Sequence, residues 1–193
     1  SNSLTKESYY EGLTSYPAAR CVRILNPLSA DLNVMRQTLL FNTMEAVQLN
    51  ANRRNGNLRL YEFGNCYFYD EAARDAEKPL SAYSEQYRLA IAVTGAAVPQ
   101  SWNAKPQASS FFTLRAVAEK LLRRFGLDIY ALKCEPLQSD LFGDGISLSA
   151  GNGRELLQMG VVAPRIRRAF DLKQEVYYLE MNFDALVKST RKH

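Results

Sequence analysis

The order in which strand-like and helix-like stretches follow one another most restricts what this 193-residue chain can become. Strand patterns succeed each other through turn signals, two or three helices are interspersed, and no strand–helix–strand rhythm develops. Neighbouring parallel strands need a long crossover between them, so doubly wound and barrel α/β folds are excluded. What fits is an α+β domain, an antiparallel sheet flanked by helices. The plainest turn is Gly151-Asn152-Gly153, set between alternating stretches at 146–150 and 155–162, which predicts a hairpin. Read as a phosphate loop, the same glycines lack a third partner and a following helix.

Further strands are expected at 20–25, stopped by Asn26-Pro27, and at 58–69, 87–95, 129–134 and 175–183. In the second of these, Leu58, Leu60 and Glu62 share one side, and Arg59, Tyr61 and Phe63 the other. Gly64 then marks a bulge or a close backbone approach. The spacing of Met35, Leu39, Leu40, Met44, Val47 and Ala51 predicts a helix over 33–52, capped by Asn33 and ended before Gly56. Leu32 and Leu49 broaden its apolar stripe beyond what one sheet face requires, as if two surfaces were covered. A second amphipathic helix is expected over 111–125, with Arg115, Lys120, Arg123 and Arg124 outward and Gly126 closing it. A short helix should run from Pro164 to about Phe170, and Asp184 should cap a final turn. Residues 1–19 read as a lead-in segment or linker, 20–187 as the core domain and 188–193 as a tail. Residues 70–85 read as a mobile polar loop, and a loop carrying Trp102 follows the strand at 87–95.

The chain holds one histidine, His193, at its last position. Histidine-based acid–base catalysis, Ser–His or Cys–His dyads and His-ligated metal are excluded unless that end folds back into a site. Cys21, Cys66 and Cys134 are odd in number and far apart, which predicts buried thiols in a reducing compartment. No apolar run approaches the roughly 18 residues of a membrane span. The start, with neither Met nor an apolar signal core, is expected to be that of a piece of a longer protein. The net charge is +4, and residues 161–193 carry seven basic against four acidic side chains. That bias permits an RNA contact without requiring one. The Arg115–Arg124 face and the run Arg165-Ile-Arg167-Arg168 are the candidate contacts. Asp140 and Asp144 lack the further ligands of a calcium loop and read as a turn. Nothing assembles a nucleophile, a base and an oxyanion stabiliser, so no catalytic, cofactor-binding or metal residues are expected.

One ordered series of motifs is specific. Asn26-Pro-Leu-Ser29 is followed by Met35-Arg36-Gln-Thr-Leu-Leu40, Glu45, Asn50 and Asn52, then Leu60-Tyr-Glu62-Phe-Gly64. Gly95 with Trp102, Phe111-Phe112-x-Leu114, Gly160-Val-Val-Ala-Pro164, Phe170-Asp-Leu172 and an acidic Tyr-Leu-Glu-Met strand continue it. The series, over about residues 20–187, resembles the C-terminal core of the phenylalanyl-tRNA synthetase beta chain. Phe41-Asn42 stands where that family commonly has Pro-Gly, and Gly160-x-x-Ala-Pro where it more usually has Gly-x-x-His-Pro.

The resemblance implies a class II synthetase-like fold, catalytic-like but inactive, in an alpha–beta heterotetramer in the cytoplasm. The active site would lie on the alpha chain, a partner that charges tRNA(Phe) with phenylalanine using ATP and Mg2+. This chain itself would hold no cofactor. Active class II domains grip ATP and the substrate carboxylate with arginines on a second-motif strand and a third-motif helix. Here the strand reads Arg59-Leu-Tyr-Glu62, without the expected Phe-Arg-x-Glu spacing. The family's first-motif helix forms the subunit interface, which would place Arg36, Leu39, Leu40, Met44, Glu45 and Val47 against the alpha chain. Contact with tRNA would fall to Arg115, Arg123, Arg124, Arg165, Arg167 and Arg168. The alternatives are a stand-alone ligase of the same fold, which needs an adenylate loop and an active-site lysine, or an RNA-binding adaptor, which needs a stronger basic patch.

Overall fold

Hairpin pairing builds the molecule from two antiparallel sheets. The computed structural model describes residues 2–95 and 109–190; Trp102 and His193 lie outside the described residues. A small sheet holds β1 (Leu4–Thr5), β2 (Val22–Arg23) and β3 (Val34–Met35), with β3 in the middle. Then come α1 (Leu40–Asn52), β4 (Leu58–Tyr69), β5 (Tyr83–Thr94), α2 (Phe111–Arg124), β6 (Lys133–Pro136), β7 (Phe142–Ser149), β8 (Glu155–Val162), α3 (Pro164–Ala169), β9 (Val176–Asn182) and α4 (Phe183–Thr190). Strands β4 to β9 form a six-stranded sheet in the order β4-β5-β9-β8-β7-β6. The last strand of the chain therefore sits between β5 and β8.

The period of two along each strand separates two cores. On β5, Leu89, Ile91 and Val93 face α2 and α4, where Leu114, Ala118, Leu122 and Leu186 meet Met159, Leu179 and Met181. Ala90 and Ala92 face the other way, toward Tyr10, Leu40, Met44, Val47 and Ile166 of the N-terminal segment, α1 and α3. Each fully buried Leu or Met in these layers contributes about 1.5–3 kcal/mol. Helix α2 falls where its spacing predicts, because Leu114, Ala118 and Leu122 recur every fourth residue and Ser110 accepts the Thr113 N–H at 3.4 Å. The Gly151–Gly153 turn joins β7 to β8 as predicted.

Helix α1 starts seven residues later than its periodicity predicts. Val34 and Met35 pair instead with Thr5 and Leu4 on one side and Arg23 and Val22 on the other, so strand pairing overrides helical spacing. Asn33 is not its cap: the amide oxygen accepts from the Glu7 N–H at 2.9 Å. The segment read as a lead-in supplies β1 and the buried Tyr10 and Leu13, and is pinned to the β6–β7 loop where Asp140 accepts the Thr14 N–H at 2.6 Å. The strand expected at 129–134 is a 3-10 turn at Ile129–Ala131, capped by Asp128, followed by β6. Residues expected in a loop up to 85 already belong to β5, which pairs from Tyr83 with Tyr69 onward. Asp184 does not cap α4. Asn182 accepts the Ala185 N–H, and the Asp184 carboxylate takes the Tyr87 N–H.

Candidate functional site

The motif residues Arg36, Glu62 and Gly64, distant in sequence, meet at one place. Arg36 is 2% exposed; its Nη1 lies 3.1 Å from Glu62 Oε1 and its Nε donates to the Asn65 carbonyl at 2.9 Å. The Arg36 carbonyl accepts the Tyr67 N–H at 2.8 Å, which closes part of the β4 edge. The β4–β5 register runs unbroken through Phe63–Leu89, Gly64–Arg88 and Asn65–Tyr87, so Gly64 is no bulge. It is the close approach: a Cβ there would overlap Arg36 Nη2 and touch Leu39.

Further along the same face of the sheet, Glu180 of β9 collects donors from three elements. Its Oε1 accepts Thr38 Oγ1 at 2.8 Å, the Leu39 N–H at 2.7 Å and the Tyr178 hydroxyl at 2.6 Å. Its Oε2 accepts Arg88 Nη1 at 2.6 Å, and Thr38 Oγ1 in turn accepts the Leu40 N–H at 3.2 Å. A carboxylate 141 residues away thus does the work of an N-cap for α1, where the positive end of the helix favours it. Arg88 also donates to Tyr16 Oη at 2.9 Å and to Gln86 Oε1 at 2.7 Å. Burial pushes the Tyr16 phenol up to about 12 although Arg88 pulls it down, and burial raises Tyr178 too, with Glu180 adding to it. Both phenols stay protonated, and Tyr178 serves as a donor. A cavity of about 220 Å3 beside this network is lined by Tyr16, Gln86, Arg88, Glu155, Gln158 and Asn182 among others. Neither Arg88 nor Glu180 was singled out by spacing; the available signal is a charged residue within an otherwise apolar strand run.

The residues expected against a partner chain are elsewhere. Leu39, Leu40 and Met44 are fully buried, and Val47 and Arg36 are 2% exposed, all inside this chain's own core. The two leucines that broaden the stripe are not covered at all: Leu32 precedes α1 and is 36% exposed, and Leu49 is 52% exposed. What the N-terminal segment covers is Phe41, which lies outside the stripe. Phe41 stacks on Tyr9 at 4.9 Å between ring centroids and meets Tyr10 edge-on at 5.3 Å. Of the expected set only Glu45 is exposed, and it accepts the Tyr9 hydroxyl. Among the described residues the large apolar side chains given fully to solvent are Leu25 (97%) and Leu28 (102%), flanking Asn26-Pro27 in the loop between β2 and β3. The loop's base is held by the Ile24 N–H on the Asn33 carbonyl at 3.1 Å, by Arg23 on Glu7 and by Lys6 on Asp31 at 3.8 Å.

The expected cationic contacts divide between opposite faces of the sheet, because α2 packs on one core and α3 on the other. Arg115 lies over the Tyr130 ring at 5.8 Å, Arg123 pairs with Glu119 at 2.9 Å and Arg124 is exposed. Arg167 donates to the Leu172 and Lys173 carbonyls, closing the turn after α3, whereas Arg165 and Arg168 are exposed. Of the cysteines, Cys21 and Cys66 are buried as expected, but Cys134 is exposed on the edge strand β6. Among the described residues no helix is long and apolar enough to cross a membrane.

The six-stranded sheet with its two helical layers has counterparts of known structure. Two structures of pyrrolysyl-tRNA synthetase from Desulfitobacterium hafniense superpose with TM-scores of 0.67 and 0.68, over 97% of this chain and 60% of theirs, at 13% and 14% identity. The fold is that of class II aminoacyl-tRNA synthetases. A family model described as phenylalanyl tRNA synthetase beta chain CLM domain matches residues 1–183. The phenylalanine–tRNA ligase beta subunits of Bacteroides thetaiotaomicron and Porphyromonas gingivalis are 45% and 38% identical to it over 98% and 100% of its length. The chain belongs to the phenylalanyl-tRNA synthetase beta chain family, and it spans 23% of the length of those two relatives.

Proposed function

We propose that this chain is a non-catalytic structural domain of a phenylalanine–tRNA ligase beta subunit. In this reading it supports an active site on the alpha chain, which charges tRNA(Phe) in the cytoplasm using ATP and Mg2+. The working unit is residues 20–187, buttressed by the segment before it. The observation that carries the reading is what the sheet's buried charges do. A guanidinium fork grips a carboxylate or phosphate when its donors are free to face the ligand. Here Arg88 is engaged by Glu180, Gln86 and Tyr16, and Arg36 by Glu62 and the Asn65 carbonyl. Both pairs join α1 and its approach to the sheet. Pyrophosphate exchange with ATP and phenylalanine tests this directly. The chain alone is expected to give none and the assembled alpha–beta enzyme to give it, whereas exchange by the chain alone favours the stand-alone ligase.

The contact with the alpha chain is assigned to the loop carrying Leu25 and Leu28, since the α1 stripe is occupied. Two leucines given wholly to water at the end of an anchored hairpin add nothing to the fold of this chain, whereas seated in a partner's pocket they remove apolar area from water. Leu25→Asp with Leu28→Asp is expected to leave the melting temperature within about 2 °C, as for surface changes. Truncating a central anchor costs about 2 kcal/mol or more, so co-purification with the alpha chain should be lost. Retained assembly would remove the loop from the interface; an RNA-binding adaptor would show no dependence on the alpha chain at all.

A further inference from the structure

Beside the end of α1 lies a cleft of about 450 Å3, walled by the start of β4, the end of β5 and the stretch from Asp171 into β9. Its floor is apolar, made by Val47, Ala51, Leu58, Leu172 and Val176. Its rim is cationic and amidic: Arg54, Lys173, Asn52, Asn55 and Gln174 line it, with Asp171 as the lining carboxylate. Two backbone positions shape the rim. Arg54 sits at φ 61° and Asp171 at φ 53°, left-handed conformations that non-glycine residues seldom adopt and that here turn the chain sharply at the ends of α1 and α3. The two turns are tied together, because Gln48 of α1 donates to the Phe170 carbonyl at 2.9 Å.

Among the described residues the exposed side chains of Arg54 and Lys173 form no ion pair, in contrast to Arg123 on α2, which is held by Glu119. Arg53 and Arg168 add exposed positive charge at the ends of the same two helices. An apolar floor with amides and unpaired cations around it suits a nucleotide unit: the floor takes an unstacked base, the amides its edge, and the cations the phosphates on either side. A helix face alone, solvated and paired along its length, offers only the phosphate part.

We infer that this cleft binds a single-stranded segment of RNA, one base seated on the Ala51 floor and its flanking phosphates held by Arg54 and Lys173. The inference rests on the reading above, in which the chain works on a complex that handles tRNA. It also moves the RNA contact away from α2, to the side of the sheet that carries α3.

The test uses the assembled alpha–beta enzyme and three probes: a fluorescent single-stranded RNA oligonucleotide, AMP, and a polyglutamate peptide. Arg54→Glu with Lys173→Glu should raise the oligonucleotide Kd about tenfold or more at low salt and flatten the salt dependence by one to two phosphate contacts. Ala51→Trp, which fills the floor and leaves every charge, should weaken binding with the salt slope unchanged. Arg123→Glu with Arg124→Glu, on the other face, should do neither. Melting and aminoacylation of the variants show that the enzyme is still assembled. If the enzyme charges tRNA and the cleft variants bind RNA like the parent, the inference is overturned while the family reading stands. Loss by charge reversal but not by Ala51→Trp reduces the site to a surface patch and overturns it too. Micromolar AMP binding that the cleft variants abolish, beyond that of the alpha chain's own ATP site, marks a mononucleotide site, and polyglutamate competition that they abolish marks an acidic protein partner; either result also overturns it.

Discussion

Glu180→Ala is expected to lower the stability of this chain by about 3–5 kcal/mol, the usual cost of leaving a buried charge without its partner. For a chain of this size that is a fall in melting temperature of about 10 °C or more. The loss has four parts: Arg88 keeps its largely buried charge, Tyr178 and the Thr38 hydroxyl lose their acceptor, and the Leu39 N–H at the start of α1 is left without one. Thermal melting of the purified chain reads the total. The double change Glu180→Met with Arg88→Met should recover a substantial part, because two well-packed apolar side chains often replace a buried pair at little cost. If Glu180→Ala melts within about 2 °C of the parent, the carboxylate is not the fastening that its four bonds suggest.

Gly64→Ala should cost about 2–3 kcal/mol, a large effect for a single methyl group and one that overpacking explains. The methyl would enter the space of the Arg36 guanidinium, which is 2% exposed and held in place by Glu62 and the Asn65 carbonyl. The decisive measurement is a cycle. In an Arg36→Met background, Gly64→Ala should cost much less, giving a coupling of about 1–2 kcal/mol between the two sites. Additive losses would mean that the methyl is resisted by Leu39 and not by the arginine.

Much of the fold is legible in the sequence because strands and their turns are local signals. The alternation of Leu58, Leu60 and Glu62 against Arg59, Tyr61 and Phe63 survives in the folded sheet, and so does the hairpin at Gly151–Gly153. Helix α2 was readable for the same reason, its cap and its apolar positions lying within one short stretch. Helix α1 was not readable at its beginning. Met35 and Leu39 keep helical spacing, yet the pairing of Val34–Met35 with β1 and β2 and the cap from Glu180 come from residues far away in sequence. The width of the stripe misleads, because Leu32 and Leu49, which broaden it, are exposed, while Phe41, which the N-terminal segment covers, stands outside the spacing. Periodicity also carries no information about which chain covers a helix, and over Phe41 it is Tyr9 and Tyr10 of this chain. Arg36 shows the same limit: its partner Glu62 lies on β4, 26 residues away in sequence.

The insertion of β9 between β5 and β8 sets a condition on how the protein is made. The hairpins β4–β5 and β7–β8 can each close as soon as their residues have emerged from the ribosome, but the two halves of the sheet share no ladder until residues 176–182 follow. Until then each half presents an open edge, β5 with seven unpaired registers and β8 with five, of the kind that recruits stray strands. The same late strand carries Glu180, so the anchoring of α1 and the joining of the sheet are completed together, near the end of the segment. A chain interrupted between Val162 and Val176 would leave two adhesive half-sheets in place of a smaller folded domain, which makes the emergence of β9 the step that joins them.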